Sequence, residues 1–280
     1  MGTHRSMRPG STEGVIDQMS TVEVNPLRAR LDEPEALLGG WCTLPTSFAA
    51  ELVGRSGVDY AVVDMQHGLG SYSDLISMLQ AISLAGAVPL VRIPFGDYGL
   101  AQRALDAGAM GLIVPMVNNV DLARAAVNAC RYPPIGERSF GPIRAKLHLG
   151  TDPQWANEQV MCLVQIETRE AMSQLDGILD VPGIDGVYVG PADLALSHGL
   201  PAGRPTEELT ALLSRIVLAC RDHSRIPAIH TLSGADCREK ISLGYRMCSI
   251  GSDSVWLHTG YSQQVAVARE QVSAAAGGLY

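Results

Sequence analysis

The sequence predicts an α/β protein built as a closed (β/α)8 TIM barrel. Eight short runs rich in Val, Ile and Leu recur along the 280 residues and alternate with stretches of helical periodicity. The runs are continuously apolar rather than alternating, which is typical of parallel strands covered on both faces. No GxGxxG motif follows the first run, so a barrel is favoured over an open doubly wound sheet.

A short helix is predicted before the first strand. Asn25 is a good N-cap, Pro26 suits the first helical turn, and Leu27 and Leu31 share one face. We expect this helix to cover one end of the barrel. Residues 1–24 are polar without a sustained period, which predicts a flexible N-terminal extension.

The remaining elements follow in regular order. Between the second and third strands, for example, Leu75, Leu79 and Ile82 fall on one face of a helix. No linker rich in Pro, Gly or Ser interrupts the pattern, so residues 25–280 are predicted to form one domain. The eight strand segments are LLGGWCTL, YAVVD, VPLVRI, GLIVPM, MCLVQIE, GVYVG, IPAIH and MCSIGSD.

Two connections are long, from Asn118 to Val160 and from Pro191 to Ile226. Long loops that follow the strands of a barrel commonly hold substrate or cover the mouth. We expect both connections to contribute to a binding site there.

Composition excludes several classes of function and points to a cytoplasmic protein. The net charge of −8 disfavours nucleic acids and anionic membranes as partners, because both require a basic patch. No apolar run reaches the ~20 residues that span a bilayer, and no signal peptide is evident. The six cysteines lack a CxxC pair and are expected to be reduced.

Charged residues stand at the ends of four predicted strands. Asp64 ends YAVVD, Arg92 nearly ends VPLVRI, Glu167 ends MCLVQIE, and Asp193 lies just past GVYVG. In a parallel barrel all carboxyl ends open on one face, where barrel enzymes place their chemistry. Unpaired charges are costly inside the barrel wall, so this pattern indicates a site at the mouth.

Glu167 and Asp193 are predicted metal ligands. They follow neighbouring strands, and a divalent cation would remove the repulsion between two close carboxylates. No His or Cys accompanies them at ligand spacing, which favours Mg2+ or Mn2+, with Co2+ as a third candidate, over structural zinc. The alternative is that each acid pairs with an arginine such as Arg169.

His67 lies three residues beyond Asp64, on the loop that leaves the second strand. Asp64 is expected to accept a hydrogen bond from one imidazole nitrogen, which would leave the other nitrogen as a general base. The alternative is a polar surface histidine. Arg92 offers a planar cation for a carboxylate or enolate oxygen, or a counterion for Asp64. His230, at the end of the seventh strand, is a secondary candidate.

This set suits a small 2-oxo acid chelated by a metal. The metal and Arg92 would stabilise the enolate formed when a base removes a C3 proton or when the C3–C4 bond is cleaved. A Schiff-base aldolase would need a lysine in a desolvated pocket. The two lysines, Lys146 in a polar loop and Lys240 in a helical CREKI stretch, argue against that route.

The runs VVDMQHG, VRIP, PPIGERSFG, VQIET and VGPADL together resemble the HpcH/HpaI family of class II, metal-dependent pyruvate aldolases. The resemblance extends over nearly the whole chain from Asn25. It implies a TIM barrel that forms homohexamers as trimers of dimers, commonly with an exchanged C-terminal helix. The implied reaction is reversible cleavage of a 4-hydroxy-2-oxo acid to pyruvate and an aldehyde through a metal-stabilised pyruvate enolate.

By the same resemblance, Glu167 and Asp193 are the metal ligands, His67 the base, Asp64 its partner and Arg92 the arginine that holds the pyruvate oxygen. The further substrate-binding positions implied are Trp41, Arg138, Gln165 and the amides of Gly190 and Ala192; the intervening Pro191 has no N–H.

Three positions depart from the family pattern. Gln66 replaces a glutamate before the histidine, Ser139 replaces a glycine after the loop arginine, and Ala195 replaces a serine after GPADL. These departures leave the pyruvate half of the site intact and leave the natural aldehyde open.

Other functions remain as alternatives. Oxaloacetate decarboxylation would proceed through the same enolate, and citrate-lyase-type cleavage of an acyl-CoA is a more distant option for which no basic cluster is evident. A phosphate-binding barrel isomerase would use TLSGAD and IGSDS as phosphate loops, although these segments also suit turns and helix caps. A non-catalytic metabolite-binding barrel would not need the charged set.

Overall fold

The structure, a computed structural model, describes residues 24–31 and 33–276, without the side chains of 270–276. The predicted barrel is confirmed, since eight parallel strands close in sequential order, with β1 paired to both β2 and β8. The extension predicted at residues 1–24 lies, except for Val24, outside the described residues. The strands are β1 Leu37–Cys42, β2 Tyr60–Asp64, β3 Val88–Arg92, β4 Gly111–Val114, β5 Met161–Ile166, β6 Gly186–Val189, β7 Ile226–Thr231 and β8 Met247–Ser252.

Helices cover the outside of the barrel. None of the helices in the described part of the chain is long and apolar enough to cross a membrane. The helices are α1 Pro26–Arg30, α2 Ser47–Gly54, α3 Tyr72–Leu84, α4 Tyr98–Asp106, α5 Val120–Cys130, α6 Lys146–Leu149, α7 Pro153–Gln159, α8 Arg169–Ser173, α9 Leu175–Leu179, α10 Pro191–Ser197, α11 Glu207–Asp222, α12 Gly234–Leu243 and α13 Asp253–Ala276.

Helix α1 lies at the amino-terminal end of the barrel, opposite the mouth. The side chain of Asn25 caps the helix by accepting from Leu27 N–H, and its amide donates to the carbonyl oxygen of Met110 just before β4. Arg28 forms an ion pair with Asp185, just before β6. The predicted position of this helix over one end is therefore confirmed.

The barrel interior is filled by large side chains that require small neighbours. Tyr60 on β2 is fully buried, and an added Cβ at Gly39 on β1 would lie 2.2 Å from its ring. Gly39 is therefore required by packing across the β1–β2 pair rather than by backbone conformation.

The two long connections lie at opposite ends of the barrel. Residues between Pro191 and Ile226 contribute α10, α11 and the segment Gly203–Pro205 to the mouth, as predicted. The connection after Asn118 does not cover the mouth, because α5 begins immediately beyond the Asn119 cap. Its long part therefore follows α5 and lies at the amino-terminal end.

Candidate active site

A cavity of about 590 Å³ opens at the carboxyl ends of the strands. Strands β1, β2, β3, β5, β7 and β8 and helices α10 to α12 contribute to its wall. Its volume is in the range of small-molecule sites. We call it the mouth cavity. Of the residues predicted from the sequence, those that line it are Trp41, Asp64, Arg92, Gln165, Gly190, Ala192, Asp193 and the secondary candidate His230, whereas Glu167, His67 and Arg138 are not part of its wall.

Asp64 and Arg92 form a buried bidentate pair across the β2–β3 register. Arg92 Nε donates to Asp64 Oδ1 at 2.9 Å and Nη2 donates to Oδ2 at 2.5 Å, while Trp41 Nε1 donates to Oδ2 at 3.1 Å. Burial by itself raises the pKa of Asp64, but the hydrogen bonds and charge of Arg92 outweigh it and lower that pKa. Asp64 therefore stays ionised and fixes the guanidinium.

The predicted hydrogen bond between Asp64 and the imidazole of His67 is not present in the described structure. Asp64 Oδ1 instead accepts the backbone N–H groups of Gln66 at 3.0 Å and His67 at 3.2 Å. The side chain of His67 is exposed and is not part of the cavity wall. The oxygens of Asp64 already accept hydrogen bonds from Arg92 and Trp41. Asp64 therefore holds the loop through the backbone N–H groups of the loop and not through the imidazole ring of His67.

Glu167 is buried next to Asp193. Its Oε1 accepts the backbone N–H of Met116 at 2.7 Å, and Met116 has the left-handed φ of 56° that turns this N–H toward it. Burial and, to a smaller extent, the charge of Asp193 raise the pKa of Glu167 to about 7, against the opposing effects of Met116 and Arg92. Asp193 lies in the first turn of α10. The two acids are thus electrostatically coupled, as their positions on neighbouring strands predicted.

Pairing of these acids with arginine, the alternative considered from sequence, is not observed. No ion pair of Glu167 or Asp193 is found within residues 24–31 and 33–276, and the Arg169 backbone N–H donates to Ser197. Gly190 keeps the space around the acids open, since an added Cβ would lie 2.7 Å from Glu167 Oε2 and 3.0 Å from Gln165 Nε2.

The residues present fit a divalent cation. Buried Gln165 Oε1 has no hydrogen-bond partner in the described structure, while the nitrogen of the same amide group, Nε2, is the atom that approaches Gly190 beside Glu167 Oε2. Carboxylate and amide oxygens suit a hard ion such as Mg2+ or Mn2+. The described residues contain no cluster of three or more His, Cys, Asp or Glu, so the protein ligands would leave positions for water and substrate.

Arg138 lies away from the mouth cavity. Its guanidinium donates to Asp106, the last residue of α4, at 2.7 Å and packs 4.3 Å from the centre of the Tyr132 ring. The long part of the connection follows α5 and so lies at the amino-terminal end of the barrel. Arg138 belongs to this part and is therefore placed at that end. The structure therefore does not bring Arg138 together with the other predicted residues of the chain.

His230 and Lys240 line the cavity, although sequence reasoning ranked the first low and set the second aside. His230 Nδ1 is 2.9 Å from Ser249 Oγ, and its ring meets Trp41 edge-on at 4.9 Å. Burial and the charge of Arg92 lower the pKa of His230 to about 4. The sequence signal for His230 was its place at a strand end.

Lys240 on α12 donates to Glu239 at 2.8 Å and lies 3.3 Å from Asp236. Burial alone would lower the pKa of Lys240, but the hydrogen bonds and charges of the two acids raise it. The lysine is thus held as an ammonium ion and not as the neutral amine that a Schiff base requires. Nothing in the helical CREKI pattern distinguished it from a solvated side chain.

The segment TLSGAD forms a helix cap. Ser233 accepts the Asp236 N–H at 3.2 Å, and Asp236 accepts the Leu232 N–H at 3.0 Å. These amides are satisfied within the protein, so the segment does not offer them to a phosphate.

Comparisons with known proteins find related sequences and structures. The model of the HpcH/HpaI aldolase/citrate lyase family matches residues 38–258. The chain is 34% identical over 260 residues to the 4-hydroxy-2-oxo-heptane-1,7-dioate aldolase of Escherichia coli, covering 91% of this chain and 99% of that protein. It is 32% identical to the 2-keto-3-deoxy-L-rhamnonate aldolase of Salmonella gallinarum, covering 85% and 90%. The crystal structure of a Burkholderia cenocepacia protein of the HpcH/HpaI type superposes with a TM-score of 0.82 at 33% identity, covering 88% of this chain and 100% of that one.

Proposed function

Because the chain belongs to the HpcH/HpaI aldolase/citrate lyase family, whose related members are aldolases, we propose that it is a class II pyruvate aldolase. The reaction is reversible cleavage of a 4-hydroxy-2-oxo acid to pyruvate and an aldehyde. The observation that supports this most directly is a cavity lined by Asp193 and by an arginine that Asp64 fixes, with Glu167 buried beside Asp193. Neither acid has an arginine partner among the described residues.

Glu167 and Asp193 would hold the divalent cation, Mg2+ or Mn2+ with Co2+ as a third candidate. Gln165, whose buried Oε1 has no hydrogen-bond partner in the described structure, lines the same cavity. When bound, the cation supplies Lewis-acid polarisation of the substrate's oxo group. The amides of Gly190 and Ala192 are the proposed donors to the substrate carboxylate. They lie at the start of α10, where the first N–H groups have no partner within the helix.

Arg92 is the proposed electrostatic partner of the developing enolate. Two of its N–H groups are committed to Asp64, and no partner of Nη1 is found among the residues that the structure describes. A guanidinium held in this way needs little reorganisation when negative charge develops on the C2 oxygen. Trp41 packs 5.0 Å from the guanidinium and forms the adjacent apolar wall.

His67 is the proposed base. In the cleavage direction it takes the proton of the C4 hydroxyl group, the C3–C4 electron pair passes into the enolate, and the aldehyde leaves. The same imidazolium then returns the proton to C3 and gives pyruvate. Since the ring is exposed and lies outside the cavity wall, we propose that a bridging water molecule carries both proton transfers between His67 and the substrate.

Methyl-proton exchange of pyruvate in D2O tests this proposal. We expect deuterium incorporation with Mg2+ or Mn2+, its loss with EDTA, and its loss in His67→Ala. Borohydride treatment with pyruvate should leave Lys240 and Lys146 unmodified. Exchange that persists in EDTA, or a trapped lysine adduct, would reject the proposed mechanism.

Oxaloacetate decarboxylation would use only the half of the cavity around Arg92 and Glu167, because loss of CO2 leaves the same enolate. The cavity continues beyond this half to α11 and α12, which favours a reaction that also binds an aldehyde. A direct comparison of CO2 release from oxaloacetate with aldol cleavage distinguishes the two activities.

Helix α13 supports the proposal of a homo-oligomer, which the family resemblance implies is a hexamer. Its side chains from Val255 to Tyr261 and onward to Arg269 are mostly exposed, including Trp256 at 45% and Leu257 at 54%. Exposed apolar side chains on a long helix are typical of a surface covered by another subunit. Light scattering coupled to gel filtration measures the assembly. We further propose that residues 25–280 form a single domain and that the enzyme is cytoplasmic.

A further inference from the structure

The mouth cavity extends past the proposed pyruvate site into a lobe between α11 and α12. We call this part the β7 lobe; it is lined by Leu209, Leu213, Leu232, Asp236, Glu239 and Lys240. The leucines of α11 are buried, whereas the polar groups belong to α12. The lobe therefore presents an apolar wall on one side and hydrogen-bonding groups on the other.

His230 stands where the pyruvate half of the cavity meets the β7 lobe. It lies on β7 and pairs in register with Ser249 on β8, whose hydroxyl is 2.9 Å from Nδ1. The edge of the ring packs against Trp41, with the ring centres 4.9 Å apart. These contacts fix the ring plane, and within the described part of the chain Nε2 has no hydrogen-bond partner.

We propose that His230 is a specificity-determining residue that hydrogen-bonds a hydroxyl group of the acceptor aldehyde, and that the β7 lobe holds the rest of a neutral, hydroxylated acceptor. This inference rests on the proposed aldolase function and names its second substrate by class.

A hydroxyl group matches Nε2 in either tautomer. If Ser249 donates to Nδ1, Nε2 carries the proton and donates; if Ser249 accepts from Nδ1, Nε2 is an acceptor. A hydroxyl group can do the complementary part in both cases. A methyl group leaves Nε2 unsatisfied in a partly buried place, which costs binding free energy.

The charges of the β7 lobe favour a neutral acceptor over a carboxylate. Lys240 is already neutralised by Asp236 and Glu239, so a carboxylate next to it would meet two like charges. The same ammonium and carboxylate groups can donate to and accept from hydroxyl groups. Arg204, exposed at the rim of the cavity, is the cation that a carboxylate would need instead.

The test compares matched aldehydes with pyruvate as donor. L-Lactaldehyde and propionaldehyde differ by one hydroxyl group, and succinate semialdehyde adds a carboxylate. For the wild type we expect kcat/KM for lactaldehyde to exceed that for propionaldehyde by about tenfold, the effect of one hydrogen bond. In His230→Leu the ratio should fall to about one, and His230→Asn should recover part of it.

The ratio within each variant is an internal control for any general loss of activity or folded protein. His223→Leu, a histidine that pairs with Asp180 at the end of α11, is the matched control and should keep the wild-type ratio. Ser249→Ala should reduce the ratio partly, because the ring is no longer held at Nδ1.

Three outcomes overturn the inference: equal ratios in the wild type and His230→Leu, a wild-type preference for propionaldehyde, or a preference for succinate semialdehyde that is lost in Arg204→Ala. Pyruvate deuterium exchange by the wild type separates these outcomes from failure of the proposed function. If exchange proceeds without discrimination by hydroxyl, the inference about His230 fails and the aldolase proposal stands.

Discussion

Replacing Asp64 by Asn tests whether this carboxylate organises the site. Asp64 accepts from two groups of Arg92, from Trp41 and from the backbone of Gln66 and His67, and its side chain is 1% exposed. The variant leaves the buried guanidinium without its counterion and turns an amide N–H group toward other donors. Removing one partner of a buried ion pair costs about 3–5 kcal/mol, and the retained oxygen of Asn places this case near 3 kcal/mol.

The assay is equilibrium unfolding in urea at fixed protein concentration, with linear extrapolation of the free energy of unfolding. The pKa of Asp64 is lowered in the folded protein, so its contribution is fully present above the unfolded pKa of about 3.9 and is lost as pH falls through the lower folded value. The difference between wild type and variant should therefore be constant from pH 8 to pH 5 and should shrink below about pH 4.

Asp97→Asn is the matched control for this prediction. Asp97 is exposed and caps α4 by accepting the Leu100 N–H, a role that Asn fills equally well. Its free energy of unfolding should change by no more than about 0.5 kcal/mol. A loss below about 1 kcal/mol in Asp64→Asn at pH 7, or one that varies between pH 8 and pH 5, would refute the assignment of Asp64 as the ionised centre of this network.

Three further predictions concern the proposed metal site. Glu167→Gln should weaken divalent-cation binding in calorimetric titration more than Arg92→Ala does, because it removes a charged ligand; the reverse order would reassign the ligand. Since the pKa of Glu167 is about 7 without metal, binding of the cation should release a proton below that pH, and the affinity for the cation should rise from pH 6 to pH 8. An enthalpy of cation binding that does not depend on the buffer at pH 6 would contradict this. Gly190→Ala places a Cβ 2.7 Å from Glu167 Oε2 and should weaken metal binding at least about tenfold. Gly234→Ala, with open space around its Cβ, is the control and should not weaken it. Equal metal affinities of the wild type and Gly190→Ala would show that Glu167 can move aside.

The barrel and most of its mouth are predictable from sequence because they depend on periodicity. A continuous apolar run ends where its strand ends, so Asp64, Arg92 and Glu167 are located by counting residues. The structure places Arg138 away from the mouth for a physical reason. A sequence motif does not reveal whether the long part of a connection precedes or follows its helix. That order decides at which end of the barrel the motif lies.

Lys240 shows a second limit of sequence reasoning. Charged residues on a helix usually face solvent, and only the separation of α11 from α12 turns Lys240 and Asp236 toward a cavity. The hydrogen bond expected between Asp64 and the His67 ring is absent from the described structure for a related reason. A carboxylate next to a histidine in sequence has other donors in space, and a guanidinium across the strand pair is the stronger partner.

The two histidines near the mouth cavity differ in the chemistry that their environments permit. Ser249 and Trp41 hold the ring of His230. Because its pKa is about 4, the ring is neutral near pH 7 and is a weak base. It is therefore suited to hydrogen bonding and not to proton abstraction. In the described part of the chain, the backbone N–H of His67 donates to Asp64, whereas the side chain is exposed to solvent. The proposed proton transfer by His67 and the proposed acceptor recognition by His230 are thus separable. We expect His230→Leu to change the choice of aldehyde, whereas His67→Ala should abolish deuterium exchange of pyruvate even when no aldehyde is present.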